Sequence, residues 1–163
     1  MEQPHKTSRA LGAANAVRKI YWRTFKPNRY GVKGLILHPD DPNTFLAIRQ
    51  SYGADRPLTL PGGGYRPRKE EKEAALHREV HEEAGLELAE QIIELSNRVS
   101  RFEGKVDHIT YFAAVALSSN IKPNREIADV RWTPVSLEGV NPTDVSNHIH
   151  HALQHYGRDN TAH

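Results

Sequence analysis

The sequence predicts one mixed α/β domain with helices packed on a single sheet. Three observations lead there. Short apolar runs rich in Val, Ile, Phe and Tyr recur between turn clusters, as strands do. Residues 73–84 are strong helix formers with neither Gly nor Pro. A second apolar stripe at helical spacing follows Asn141-Pro142 near the end of the chain.

The elements follow in order. Val32 to Leu37 reads as a strand and Thr44 to Gln50 as its partner, joined by the turn Asp40-Asp41-Pro42-Asn43. Leu58-Thr59-Leu60 reads as a short strand entering the turn Pro61-Gly62-Gly63-Gly64. Glu73 to Ala84 forms the first helix, with Leu76 and Val80 toward the sheet and Gly85 as its left-handed stop. Ile92 to Phe102 and Lys105 to Leu117 make two strands around Glu103-Gly104, and Ile127 to Trp132 makes another. Asn141 caps and Pro142 opens a last helix whose apolar face is Val145, Ile149, Ala152, Leu153 and Tyr156.

With 163 residues, one domain is expected. The absence of cysteine excludes a disulfide framework and thiol chemistry, and it fits a cytoplasmic location. No apolar run approaches the length of a membrane span, and the N-terminus lacks a signal-peptide core. Charge is uneven. Residues 1–29 carry seven Lys/Arg against one Glu, a net of +6, and residues 30–163 carry fifteen against nineteen Asp/Glu, a net of −4. The division expected is therefore a basic arm over 1–29, with a candidate helix, and one domain over 30–163. Docking on the domain or a homodimer contact is the first expectation for the arm, ahead of nucleic acid or anionic lipid.

Residues 64–86 hold the chemistry. Glu79, Glu82 and Glu83 stand at i, i+3 and i+4 of the first helix, within about 100° of arc. Three clustered carboxylates repel one another, and burial raises their pKa values unless a cation intervenes. A hard divalent ion with oxygen ligands resolves that conflict and leaves positions for water and phosphate. Arg78 precedes Glu82 at i,i+4 and can pair with it. The glutamates alone also suit a solvated acidic face; the flanking Gly64, Glu70, Arg78 and Gly85 favour a site.

The spacing Gly-x5-Glu-x7-Arg-Glu-U-x-Glu-Glu-x-Gly-U, with U apolar, is met at every fixed position from Gly64 to Leu86. It resembles the Nudix box, and the pattern of elements over 30–156 resembles the Nudix α/β/α sandwich with a mixed sheet. The resemblance implies a Mg²⁺-dependent hydrolase, with Mn²⁺ as a substitute, that cuts a phosphoanhydride in a nucleoside diphosphate linked to another moiety. It implies Glu79, Glu82 and Glu83 as metal ligands together with a turn carbonyl, that of Gly62 or Gly63, with Gly63 favoured. In one respect the chain departs from the family. The box glycine usually lies two residues after the proline, whereas Gly64 lies three after Pro61. Either the turn is shifted or one residue is inserted near Arg68-Lys69.

Outside the box the family often adds a carboxylate from a later loop, and Glu126 is the first candidate and Glu103 the second. Glu79 or Glu82 is the alternative base. Arg49, at a strand end, and Arg66, before the helix, are candidate phosphate-binding residues. His148, His150, His151 and His155 are expected to form a solvent-facing cluster in preference to a zinc site. A small nucleotide-diphosphate substrate is the expected partner; nucleic acid is not expected for the acidic bulk of the chain. Two alternatives stand beside the hydrolase: a nucleotide-sensing Nudix fold without catalysis, and an RNA-end-processing enzyme.

Overall fold

The computed structural model describes residues 28–51, 56–102 and 104–160. Most of the expected basic arm, and Glu103, lie outside the described residues. Among the described residues, six strands and two α-helices follow in chain order: β1 (Asn28–Leu37), β2 (Thr44–Gln50), β3 (Gly64–Tyr65), α1 (Lys72–Ala84), β4 (Leu88–Phe102), β5 (Lys105–Ala116), β6 (Ile127–Pro134) and α2 (Asn147–Asn160). A 3₁₀ turn, Pro142–Asp144, precedes α2.

The strands form one mixed sheet in the order β4-β5-β1-β2-β6, with β3 paired to β1. β1 runs parallel to β5 over ten residue pairs, from Asn28 with Val106 to Leu37 with Val115. The remaining pairings are antiparallel. β1 is thus central and buried on both faces, which explains its run of apolar residues. Val32 and Ile36 face one core, with Ala75, Leu76, Val80 and Ala84 of α1. Leu35 and Leu37 face the other, with Val145 and with Ile149 and Ala152 of α2. The expected sandwich is the one observed.

Several boundaries differ from expectation for physical reasons. Leu58 and Thr59 make only isolated bridges, to Val145 and Ile48, because the chain leaves the sheet at once for the glycine turn. Asn141 caps as expected, its side chain accepting from the Thr143 amide, but the element it opens is the short 3₁₀ turn; α2 begins at Asn147. The histidine cluster also departs from its expected solvent-facing position. Nδ1 of His148 lies 2.7 Å from the Tyr111 hydroxyl, and Nε2 of His151 lies 2.9 Å from the Ser96 hydroxyl. These rings pack on the sheet, and only His150 of the four is exposed. No helix among the described residues is long and apolar enough to cross a membrane.

Candidate active site

The glycine turn is held along its length by β1. The Val32 amide donates to the Gly63 carbonyl and the Gly34 amide to the Pro61 carbonyl, each at 3.0 Å. Lys33, between them, turns its side chain to the same segment, and Nζ donates to the Leu60 carbonyl at 2.9 Å and the Gly62 carbonyl at 3.4 Å. Gly62 has φ +137°, and a Cβ there would collide with the Val32 carbonyl, so only glycine fits. At Gly63 a Cβ would overlap the Glu79 carboxylate, so glycine there lets that side chain lie against the turn. A Cβ on Gly64 would meet only the Tyr30 carbonyl, at an ordinary 3.6 Å. The glycine that the backbone geometry requires, Gly62, therefore directly follows Pro61.

α1 is started by Glu71 and stopped by Gly85, whose φ of +65° and amide bond to the His81 carbonyl make a left-handed cap. Its amphipathic register buries Ala75, Leu76, Val80 and Ala84 and brings Glu79 and Glu83 to the turn. Glu83 is only 7 % exposed and accepts the Gly62 amide at 2.8 Å. Glu79 is half-covered beside Gly63, and Glu82 is outward and exposed. The three carboxylates are thus not equivalent in their surroundings.

Arg78 organises the rest. Nε and Nη2 make a bidentate pair with Glu70 at 2.8 and 3.0 Å, and Nη1 donates to Glu79 at 2.7 Å. Nη2 reaches the Gly64 carbonyl at 3.3 Å, and Glu82 lies 3.5 Å from Nη1. The expected i,i+4 partner is present but secondary; the planar fork is matched to Glu70. These hydrogen bonds raise the Arg78 pKa and draw that of Glu70 below the usual carboxylate range.

Electrostatics single out Glu83. Burial pushes its carboxyl up to about 7, against the pull of the Gly62 amide and the Lys33 charge, with Glu79 and Glu126 adding repulsion. Burial lowers the Lys33 pKa, opposed by the charges of Glu83 and Glu79. Lys33 was not among the residues singled out from the sequence; a lone lysine in an apolar strand is the signal that marks it.

The candidates outside the box divide. Glu126 is exposed in the loop before β6, and its charge acts on Glu83; the Ser51 amide donates to its carbonyl. Arg66 is exposed and lines a cavity with Tyr30 and Tyr65. Arg49 is committed elsewhere: it makes a bidentate pair with Asp144 at 2.7 and 2.6 Å and also donates to the Arg56 carbonyl. It ties β2 to the 3₁₀ turn, and its guanidinium is not presented as a free phosphate ligand. The Gly63 carbonyl, favoured from the sequence as a metal ligand, accepts the Val32 amide, whereas that of Gly62 has no backbone donor among the described residues.

A cleft of about 330 Å³ opens at the turn, lined by Tyr30, Lys33, Gln50, Gly62, Gly63 and His108. The residues beside it fit a divalent cation. Buried Glu83, half-covered Glu79 and the Gly62 carbonyl are hard oxygen donors, and burial of Glu83 disfavours its charge without a nearby cation. Among the described residues no group of three or more His, Cys, Asp or Glu side chains is placed to hold a metal ion. A cation here would need backbone and water oxygens beside Glu79 and Glu83.

The family model described as the NUDIX domain matches residues 27–155. Solved structures share the fold. An E. coli protein, ORF135, superposes with a TM-score of 0.68 at 16 % identity over 85 % of this chain and 95 % of its own. A MutT protein from Methanosarcina mazei gives 0.65 at 20 % identity over 83 % and 96 %. An Ap4A hydrolase from C. elegans gives 0.64 at 18 % identity over 83 % and 99 %. No curated protein matches the chain.

Proposed function

Because this chain belongs to the Nudix family and is a pyrophosphohydrolase acting on small nucleotides with a divalent metal, we propose that it is a Mg²⁺-dependent enzyme for a nucleoside diphosphate linked to another moiety. Nucleoside triphosphates and nucleotide sugars are the leading substrates; Mn²⁺ substitutes for Mg²⁺. The observation that carries the reading is the convergence of Glu79 and Glu83 on the Gly62-Gly63 turn, with Arg78 fastening Glu79 and Glu70 behind them.

Glu79, Glu82, Glu83 and the Gly62 carbonyl would hold the metal, Gly62 replacing Gly63 in that role. When bound, the cation neutralises phosphate charge and lowers the pKa of water. The protein's part is positional. The Gly62 amide orients Glu83, and Arg78 orients Glu79 and fixes the start of α1 through Glu70. Arg66, on the approach from the cavity with Tyr65, supplies a cation for the non-reacting phosphate. Water adds to phosphorus, the bridging P–O bond breaks, and the proton of the water passes to a carboxylate, for which Glu126 is our choice.

The test is a product-release screen over dNTPs, 8-oxo-dGTP, ADP-ribose, nucleotide sugars and dinucleoside polyphosphates, with Mg²⁺, Mn²⁺ or EDTA. Glu82→Gln and Glu83→Gln are expected to lower turnover by about 10²–10⁴ while circular dichroism stays that of the wild type. Near-normal rates in both variants would sink the assignment.

A further inference from the structure

β1 satisfies four successive carbonyls of the catalytic turn from three residues. The amides of Val32 and Gly34 take Gly63 and Pro61, and the Lys33 ammonium takes Leu60 and Gly62. A neutral residue at 33 would leave the turn attached to β1 by backbone only. Lys33 alternates with Val32 and Gly34, so it approaches from the face opposite α1. It also walls a second cavity, lined by Gln50, Thr59, Ser146 and His148, behind the catalytic cleft.

We propose that Lys33 is a positioning residue that serves as an internal cation, holding the glycine turn in place and setting the affinity of the site for its divalent metal. Two features support this. Its bond to the Gly62 carbonyl is the longer of the two, and that carbonyl has no backbone donor among the described residues, so Lys33 and a metal address the same oxygen. Its charge acts on both Glu83 and Glu79, the two carboxylates nearest the turn. Like charges disfavour each other most where water is excluded. Lys33 therefore stabilises the metal-free site and opposes the metal. The residue keeps the site assembled between turnovers and its affinity for the ion moderate.

The inference rests on the metal-site reading above, and one experiment separates the two. Metal-free protein is titrated with Mn²⁺ at pH 8, with bound ion read by electron paramagnetic resonance and stability by thermal melting. Wild type, Lys33→Met, Lys33→Gln, Lys33→Arg and Glu83→Gln are compared. Lys33→Met and Lys33→Gln are expected to bind Mn²⁺ about three- to tenfold more tightly, and Lys33→Arg to match the wild type within about twofold. Metal-free Lys33→Met is expected to melt several degrees lower. A lysine serving only the fold would lose stability and Mn²⁺ affinity together. Unchanged or weaker binding in Lys33→Gln, with the Arg variant unchanged, therefore overturns the proposal. If Lys33→Met does not fold, the Gln and Arg variants carry the same comparison. If wild type shows no site that Glu83→Gln removes, it is the metal-site reading that fails.

Discussion

Glu83 is a carboxyl held where its charged form is disfavoured, and pH reads that out. Its pKa is about 7 in the folded protein against 4.5 when unperturbed. A raised folded pKa means that the native state binds the extra proton, so this contribution to stability is full below pH 4.5 and is lost as pH rises through 7. Metal-free protein should therefore lose up to about 3 kcal/mol across that window, and Glu83→Gln should flatten the loss. Denaturant melts at several pH values with EDTA check this; equal slopes for the two proteins would contradict it. The glycines offer a second residue-scale prediction. Gly62→Ala must accommodate φ +137° and a clash with the Val32 carbonyl, and is expected to cost at least about 3 kcal/mol or prevent folding. Gly64→Ala meets ordinary contact and should change stability by less than about 0.5 kcal/mol. The reverse order of effects would place the required glycine wrongly.

At the scale of elements, the Arg49–Asp144 pair decides what Arg49 does. The pair joins the end of β2 to the 3₁₀ turn that leads into α2, with both side chains partly exposed. Hydrogen bonding to Asp144 raises the Arg49 pKa, and the same bond lowers that of Asp144. Arg49→Ala and Asp144→Ala should each lower the melting temperature slightly, the double variant should be no worse than either single one, and KM should change less than about threefold. A large KM effect from Arg49→Ala alone would restore Arg49 as a substrate ligand. The same elements show why local signals were read with unequal success. Thr44 to Gln50 was legible because its apolar run ends at turn residues on both sides. Asn141-Pro142 predicts a helix but opens only a 3₁₀ turn, because Asn-Pro announces a helical turn and not how long it lasts.

Across the whole molecule, α2 closes the sheet face opposite the glutamate helix, and His148 is a largely buried titratable group at that seam. Burial, then the charges of Lys33, Arg98 and His151, lower its pKa to about 4 from 6.5. A lowered histidine pKa gives stability that is present above pH 6.5 and is lost as pH falls toward 4. The protein is therefore expected to lose about 2 kcal/mol between those values, beyond what carboxylates contribute, and His148→Gln to remove that part. Amide exchange in α2 as a function of pH measures it, and an unchanged pH profile in the variant would refute it.

The sequence by itself determined the family, the sandwich and the set of metal-ligand candidates. Those depend on local spacing: residues at i, i+3 and i+4 share a helical face wherever the helix is placed, and Gly85 stops it by its own backbone freedom. Tertiary structure decided which turn carbonyl lacks a backbone donor, which turn glycine is required, where the Arg49 guanidinium goes and that Lys33 stands beneath the turn. Each of these is a contact between segments far apart in the chain, such as β1 with the turn or β2 with the 3₁₀ element. Spacing along a sequence carries no information about which distant group will occupy a hydrogen-bonding partner.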